Sequence, residues 1–337
     1  MPIPRILFSH RVPRVGFRWL ETHPIPPPHQ SRAWFLTVGR EPGMRIGGGQ
    51  THNPLEEHTG LFRVFADTEP SRDGIKEFAE RFGSLGGDTR TWVAVYDEPR
   101  NGGYAGAWSE AYTVWRDQIV DMRRTVDLWD AARRGEVQEL ERKICWTKDY
   151  GSVGYRTHPG LTPSERMELR EGSFSTLIAE KGDGILERFV PGDLVQPALF
   201  FVQRLVNQRL RTRVSPRLLW DEQETQLRLH LVPEGLVGAL WLQFASAIEK
   251  DSEFRRCAEC DIWFELAPGT ARSDKLYCSN ACRTKAYRRR RAEAVRLHAE
   301  GRPIAEIAEQ VQADVESVRG WVKPQQGPDE SGGDEDA

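Results

Sequence analysis

The sequence predicts an α+β body followed by two small modules, one organised by cysteines and one all-α. Three observations predict this. Residues 31–250 mix short β-like runs with long helical stripes. Four of the five cysteines crowd into residues 257–282. Residues 293–322 carry apolar positions at helical spacing, broken by Gly301 and Pro303.

A chain of 337 residues is long enough for two or three domains with sizeable cores. The net charge of −3 hides an asymmetry. From Arg283 to Arg302 there are eight Arg/Lys and two Glu, a net of +6, so the other 317 residues sum to −9. A local basic stripe on an acidic chain suits a polyanion, and equally suits a solvated helix face. The start, MPIPRILFSHRVPRVGF, has no apolar run long enough for a secretory signal, and no 18-residue apolar stretch exists to span a membrane. Five cysteines with four in one cluster argue against a disulfide scaffold. Cys145, in KICW, reads as a small buried hydrophobe. The expectation is a cytoplasmic protein with no membrane partner.

Residues 1–30, rich in Pro, Arg and His, read as an extended arm. Residues 31–105 read as a small α+β or β-rich unit with β runs at Ala33–Val38, Leu61–Ala66 and Thr91–Tyr96. Residues 106–250 read as a helix-rich α+β body. Trp108, Tyr112, Trp115, Ile119, Met122, Val126 and Trp129 recur at alternating steps of four and three. Such a stripe is a core face or a coiled-coil seam, and three tryptophans favour core. Gly135 suits a helix end. Residues 147–190 lack periodicity and read as a loop-rich connection or a strand pair. Pro191-Gly192-Asp193 opens a helix to about Leu210. Val214–Trp220 and Gln226–Val232 alternate as a hairpin, and an apolar helix follows Pro233 to about Glu249.

Residues 254–291 carry the clearest chemistry. Cys257-x2-Cys260 is a tight knuckle that brings two thiolates to one ion. Cys278-x3-Cys282 places two sulfurs on one face of a helix start, with Ser279 positioned to cap it. Four thiolates fill a tetrahedral site and leave no open position, so the expected cofactor is one structural Zn2+. A module of this size cannot fold on apolar burial alone, so metal uptake and folding are one event. The basic helix that follows concentrates Arg283, Lys285, Arg288, Arg289, Arg290 and Arg291, the candidate phosphate contacts.

Residues 292–323 divide into three helical pieces. Val295 and Ala299 suit an inner face of the first. Ile304, Ile307, Ala308 and Val311 suit that of the second. Val318 and Trp321 suit that of the third, which Asp314 can cap. Gln312 stands where such a turn usually has Gly. Ser317 and Arg319 would approach base edges from the third helix. Residues 324–337 hold five acids and no base, and read as a disordered tail.

The stretch FRRCAECDIWFELAPGTARSDKLYCSNACRTKAYRRRR resembles bacterial treble-clef zinc fingers, which carry a C-x2-C-x-x-W-F knuckle and a YCS-x-x-CR helix start. It also resembles the CGNR zinc-finger family, although Arg283-Thr284-Lys285 follows Cys282 where that family has Gly-Asn-Arg. Residues 293–322 resemble the helix-turn-helix of bacterial regulators, recombinases and transposases. The fold class these imply is an α+β body with a C-terminal zinc finger and an all-α helix-turn-helix. The function they imply is a zinc-dependent DNA-binding protein, a bacterial transcriptional regulator whose body senses a signal or oligomerises. Residues 1–250 carry no such resemblance.

Two other readings stay open: a structural zinc protein whose cations meet an acidic protein, and a nucleic-acid enzyme, with RNA in place of DNA in either nucleic-acid reading. No catalytic constellation supports the enzyme. Pro54 interrupts the metal-helix pattern around His52 and His58, and Gly47-Gly48-Gly49 lacks the Lys-Ser/Thr of a phosphate loop.

Overall fold

The structure is a computed structural model that describes residues 5–6, 10–13, 17–22, 33–38, 49–52, 55, 58–97, 103–156, 176–221, 225–266 and 275–323. The chain divides into two units, Met1–Glu253 and Phe254–Ala337.

In the first unit, short strands β1 (Arg5–Ile6), β2 (His10–Pro13) and β3 (Phe17–Thr22) open the chain, followed by β4 (Ala33–Val38) and β5 (Gly49–His52). Next come helices α1 (Leu61–Asp67) and α2 (Arg72–Phe82), then strands β6 (Arg90–Asp97) and β7 (Gly103–Ala111). Helices α3 (Tyr112–Arg134) and α4 (Val137–Lys143) follow, with strands β8 (Ile144–Trp146), β9 (Ser152–Tyr155) and β10 (Thr176–Glu180). Helix α5 (Val195–Leu210), the hairpin β11 (Val214–Asp221) and β12 (Gln226–Pro233), and helix α6 (Leu236–Glu249) complete it.

Four of the described sheets fall in this unit: β3-β4-β7-β6, β1-β12-β11, β10-β9-β8 and β2-β5. The first joins segments that the sequence divides at residue 105, because β4 pairs with β7 through Phe35 opposite Ala111. Residues expected as an extended arm are likewise built in. β3 pairs with β4 along its length and buries Phe17, and β1 runs parallel to β12. Expected helix and strand also trade places at Leu61–Ala66, which is helical. Its apolar residues Leu61, Phe62, Phe65 and Ala66 recur at helical spacing, and all four are buried.

Helix α3 begins at Tyr112 rather than near Trp108, which lies in β7 opposite Trp92. Trp115, Ile119, Met122, Val126 and Trp129 are buried, so the stripe is a core face. Gly135 ends the helix at φ 64°, a left-handed turn that glycine takes without strain. After it the chain makes the short α4 and turns into β8, where Cys145 is half-buried.

Helix α6 is apolar around its circumference, the pattern of a fully buried helix. Its Gln243 amide donates to the His58 carbonyl at 2.9 Å and accepts from the Phe62 N–H at 3.0 Å, which satisfies the start of α1. Arg63 on α1 then makes a two-pronged pair with Asp130 on α3 at 2.7 and 2.8 Å.

The entry to α6 depends on a close backbone crossing. Gly235, at φ 96°, lies so near the Leu85–Gly87 turn that a Cβ there would meet backbone atoms at 2.6–2.7 Å. Glu110 holds that turn from beneath. Its carboxylate accepts from Gly86 N–H at 2.6 Å, Leu85 N–H at 3.1 Å and the Thr89 hydroxyl at 3.2 Å. Burial raises the Glu110 pKa, against the lowering effect of these donors and of Arg90. A raised folded-state pKa means that its contribution is fully present below the unfolded value and lost as pH rises through the folded one.

Glu110→Ala leaves two buried N–H groups without an acceptor and should cost about 3 kcal/mol in urea unfolding. Glu110→Gln keeps one acceptor, should cost less, and should flatten the fall in stability as pH rises above the ordinary carboxylate range. Unchanged pH dependence in Glu110→Gln counts against this assignment.

Candidate metal centre and basic helix

The second unit starts with strands β13 (Glu253–Arg256) and β14 (Trp263–Leu266), which pair with each other. Between them the first cysteine pair forms a knuckle. Cys257 N–H donates to the Ile262 carbonyl and Asp261 N–H to the Cys257 carbonyl, both at 2.9 Å, with Asp261 at φ 55°. Ala258 N–H donates to the Leu276 carbonyl at 2.9 Å and so draws the second pair in. Helix α7 (Asn280–Ala299) begins there, capped by the Ser279 hydroxyl, which accepts from Cys282 N–H at 3.3 Å.

The result is a cluster of four sulfurs from Cys257, Cys260, Cys278 and Cys282, all within 4.8 Å of one another. Cys260 and Cys278 sulfurs lie 3.7 Å apart, and those of Cys278 and Cys282 lie 3.5 Å apart. A metal–sulfur bond of about 2.3 Å requires sulfur–sulfur edges of about 3.8 Å in a tetrahedron. The donor set therefore fits one metal ion. Among the described residues this is the one such group.

The electrostatics agree with a cation site. Burial raises the Cys257 thiol, but N–H groups of Cys278, Glu259 and Cys260 outweigh it and hold the pKa down to about 6. Burial pushes Cys260 up to about 12 and raises Cys278. Cys257 is thus drawn toward the thiolate and Cys260 and Cys278 toward the thiol, and a cation among the sulfurs would favour the thiolate at each. The start of α7 adds its positive end beside Cys278 and Cys282.

Helix α7 presents three faces. Ala286, Ala294 and Leu297 are buried, with half-buried Arg290 on the same side donating to the Gln312 carbonyl at 3.3 Å. Lys285 and Arg289, one turn apart, reach Glu259 of the knuckle at 3.5 and 3.1 Å. Thr284, Arg288, Arg291 and Val295 form an exposed stripe. The six clustered cations thus separate. Arg283, Arg288 and Arg291 are exposed with no ion pair among the described residues, whereas Lys285, Arg289 and Arg290 have internal partners. Glu259 had no role in the sequence reading. Its signal was an acid inside the knuckle of a strongly basic segment.

Helices α8 (Ile304–Gln310) and α9 (Val315–Val322) pack on α7 through Ala294, Leu297, Ile307, Ala308, Val311 and Val318. Val295 and Ala299, expected on the inner face, are exposed. The small Ala294 with Leu297 takes that role, because a close helix crossing favours the smaller side chain over Val. Gln312 adopts φ 53°, the left-handed conformation that makes Gly usual at such a turn. Trp321 donates from Nε1 to the Tyr287 hydroxyl at 2.9 Å and meets its ring edge-on at 5.4 Å. Asp314 caps α9 and accepts from both the N–H and the hydroxyl of Ser317 at 2.7 Å. The Ser317 hydroxyl is thus committed to the cap, while Arg319 is exposed.

No protein-family model, no curated protein and no solved structure matches this chain. No described helix is long and apolar enough to cross a membrane. The acidic tail at 324–337 lies outside the described residues.

Elemental analysis of the purified chain should find one divalent metal per molecule, and replacing any one of the four cysteines by Ser should remove it. Full retention in Cys257→Ser excludes this centre. Ser279→Ala should lower the stability of the second unit by about 1 kcal/mol, read by thermal unfolding.

Proposed function

We propose that the second unit is a zinc-stabilised DNA-binding module and that the protein is a cytoplasmic transcriptional regulator of bacterial type. The observation that carries this reading is a set of exposed guanidinium groups with no ion pair among the described residues, Arg288 and Arg291 on one stripe and Arg283 at the helix start, on a helix anchored in a four-sulfur cluster. Zinc suits the site because thiolates are its preferred structural ligands and all four positions are filled. The zinc would be structural: with no open position for water, it has no reaction to promote.

In this reading α8 and α9 form a helix-turn-helix. The left-handed Gln312 between them and the Asp314 cap support it. Helix α9 would enter the major groove with Arg319 toward base edges, and the three α7 arginines would take phosphates. The outward surface of α9 also carries Glu316, so most affinity would come from phosphates rather than bases. The first unit would sense a signal or join copies of the chain.

A second reading is a structural zinc protein that docks an acidic protein. Val295, 45% exposed within the Arg288–Arg291 stripe, favours it, because phosphate contact gives no reason for an apolar residue there.

The test is binding of the full chain to mixed-sequence duplex DNA across a salt series, with zinc and with chelator. Three phosphate contacts predict a slope of log K against log salt of about −2.7, lost on chelation. Zinc retention without DNA binding sinks the DNA reading and leaves the protein-docking one.

A further inference from the structure

Glu259 is a buried acid at the base of the basic helix. It sits between the two cysteines of the knuckle, and its side chain is 2% exposed. A carboxylate so buried is unfavourable unless it is paired. Its partners are Lys285 and Arg289, whose side chains are 75% and 65% exposed. Those two lie one turn apart on α7, so both reach the same carboxylate without distorting the helix. The Glu259 N–H also points at the Cys257 sulfur, so one residue touches the sulfur cluster through its backbone and the basic helix through its side chain.

We infer that Glu259 is a positioning residue that ties the metal centre to α7 and sorts the cations of that helix into two classes. Lys285 and Arg289 hold the helix at a set rotation against the knuckle. That rotation turns Arg288 and Arg291 outward, with Arg283 at the helix start. Arg296 belongs to neither class, because Glu293 and Glu300 pair with it on the same helix. The basic run is therefore not six equivalent phosphate contacts. It is a clamp of two cations and an open face of two, with Arg283 exposed at the helix start and Arg290 turned to the Gln312 carbonyl. The identity of the polyanion on that face rests on the DNA reading above, but the clamp does not.

The experiment uses the full chain with five variants, Glu259→Gln, Lys285→Met, Arg289→Met, Arg288→Met and Arg291→Met. Two readouts separate the classes. The first is zinc retention against a competing chelator. Glu259→Gln, Lys285→Met and Arg289→Met should each weaken it by about tenfold, the scale of lost outer-shell support at metal sites, while Arg288→Met and Arg291→Met leave it unchanged. The second is the DNA salt slope. Arg288→Met and Arg291→Met should each make it shallower by about 0.9, and Lys285→Met and Arg289→Met should leave it at the wild-type value. A residue that merely stabilises the unit has no reason to divide the two readouts in this way.

Lys285→Met and Arg289→Met change largely exposed side chains, so they keep the test open if Glu259→Gln fails to fold. Zinc retention unchanged in both, or weakened equally by Arg288→Met, overturns the inference. A slope made shallower by Lys285→Met as much as by Arg288→Met overturns it as well. If the wild type binds no DNA, the DNA reading fails alone, and the zinc pattern still decides on Glu259.

Discussion

Crowding of four sulfurs within 4.8 Å is the constraint on which the second unit depends. Thiolates at such spacing repel one another strongly, and protonated thiols there have little to attract them. A cation at their centre would convert that repulsion into bonds that close the knuckle against the start of α7. The two short strands and the knuckle between them bury little, chiefly Phe264 and Cys257 itself. A metal held there would order the knuckle and fix the start of α7 through Cys278 and Cys282.

What the centre orients is a helix with more positive charge than it can hold unaided. Neighbouring guanidinium groups are tolerated because the charge is divided among separate partners. Glu259 answers Lys285 and Arg289, the Gln312 carbonyl receives Arg290, and Glu293 with Glu300 surrounds Arg296. Of the cations clustered at 283–291, only Arg283, Arg288 and Arg291 face water with no internal partner among the described residues. A surface that looks uniformly basic in sequence is a directed one in space. The small cluster under Ala294, Leu297, Ile307 and Val318 then fixes α8 and α9 to the same helix.

The first unit follows a different logic. Its core grows around α6, whose whole circumference is covered, and around the buried stripe of α3. Polar groups inside this core are spent on joining elements. Gln243 satisfies the start of α1, Arg63 links α1 to α3, and Glu110 supports the turn under the start of α6.

Patterns that repeat locally were legible in the sequence. The α3 stripe, the β11–β12 hairpin, the apolar α6, the Ser279 and Asp314 caps and the four-cysteine centre all arise from residues within one or two turns, or from a spacing that admits one chemistry. Where a pattern was short, it misled. Leu61–Ala66 is too brief for periodicity to separate helix from strand, and Trp108 matches the α3 stripe while lying in β7. Long-range pairing left no local trace. The pairing of β3 with β4 and of β4 with β7, the Glu110 support and the grip of Glu259 on α7 link residues 11 to 76 positions apart. The sequence by itself determined which residues can bind a metal and which stretches are helices with a buried face. Only the tertiary structure decided which cations of the basic helix are free, because that depends on where a buried carboxylate twenty-six residues upstream comes to rest.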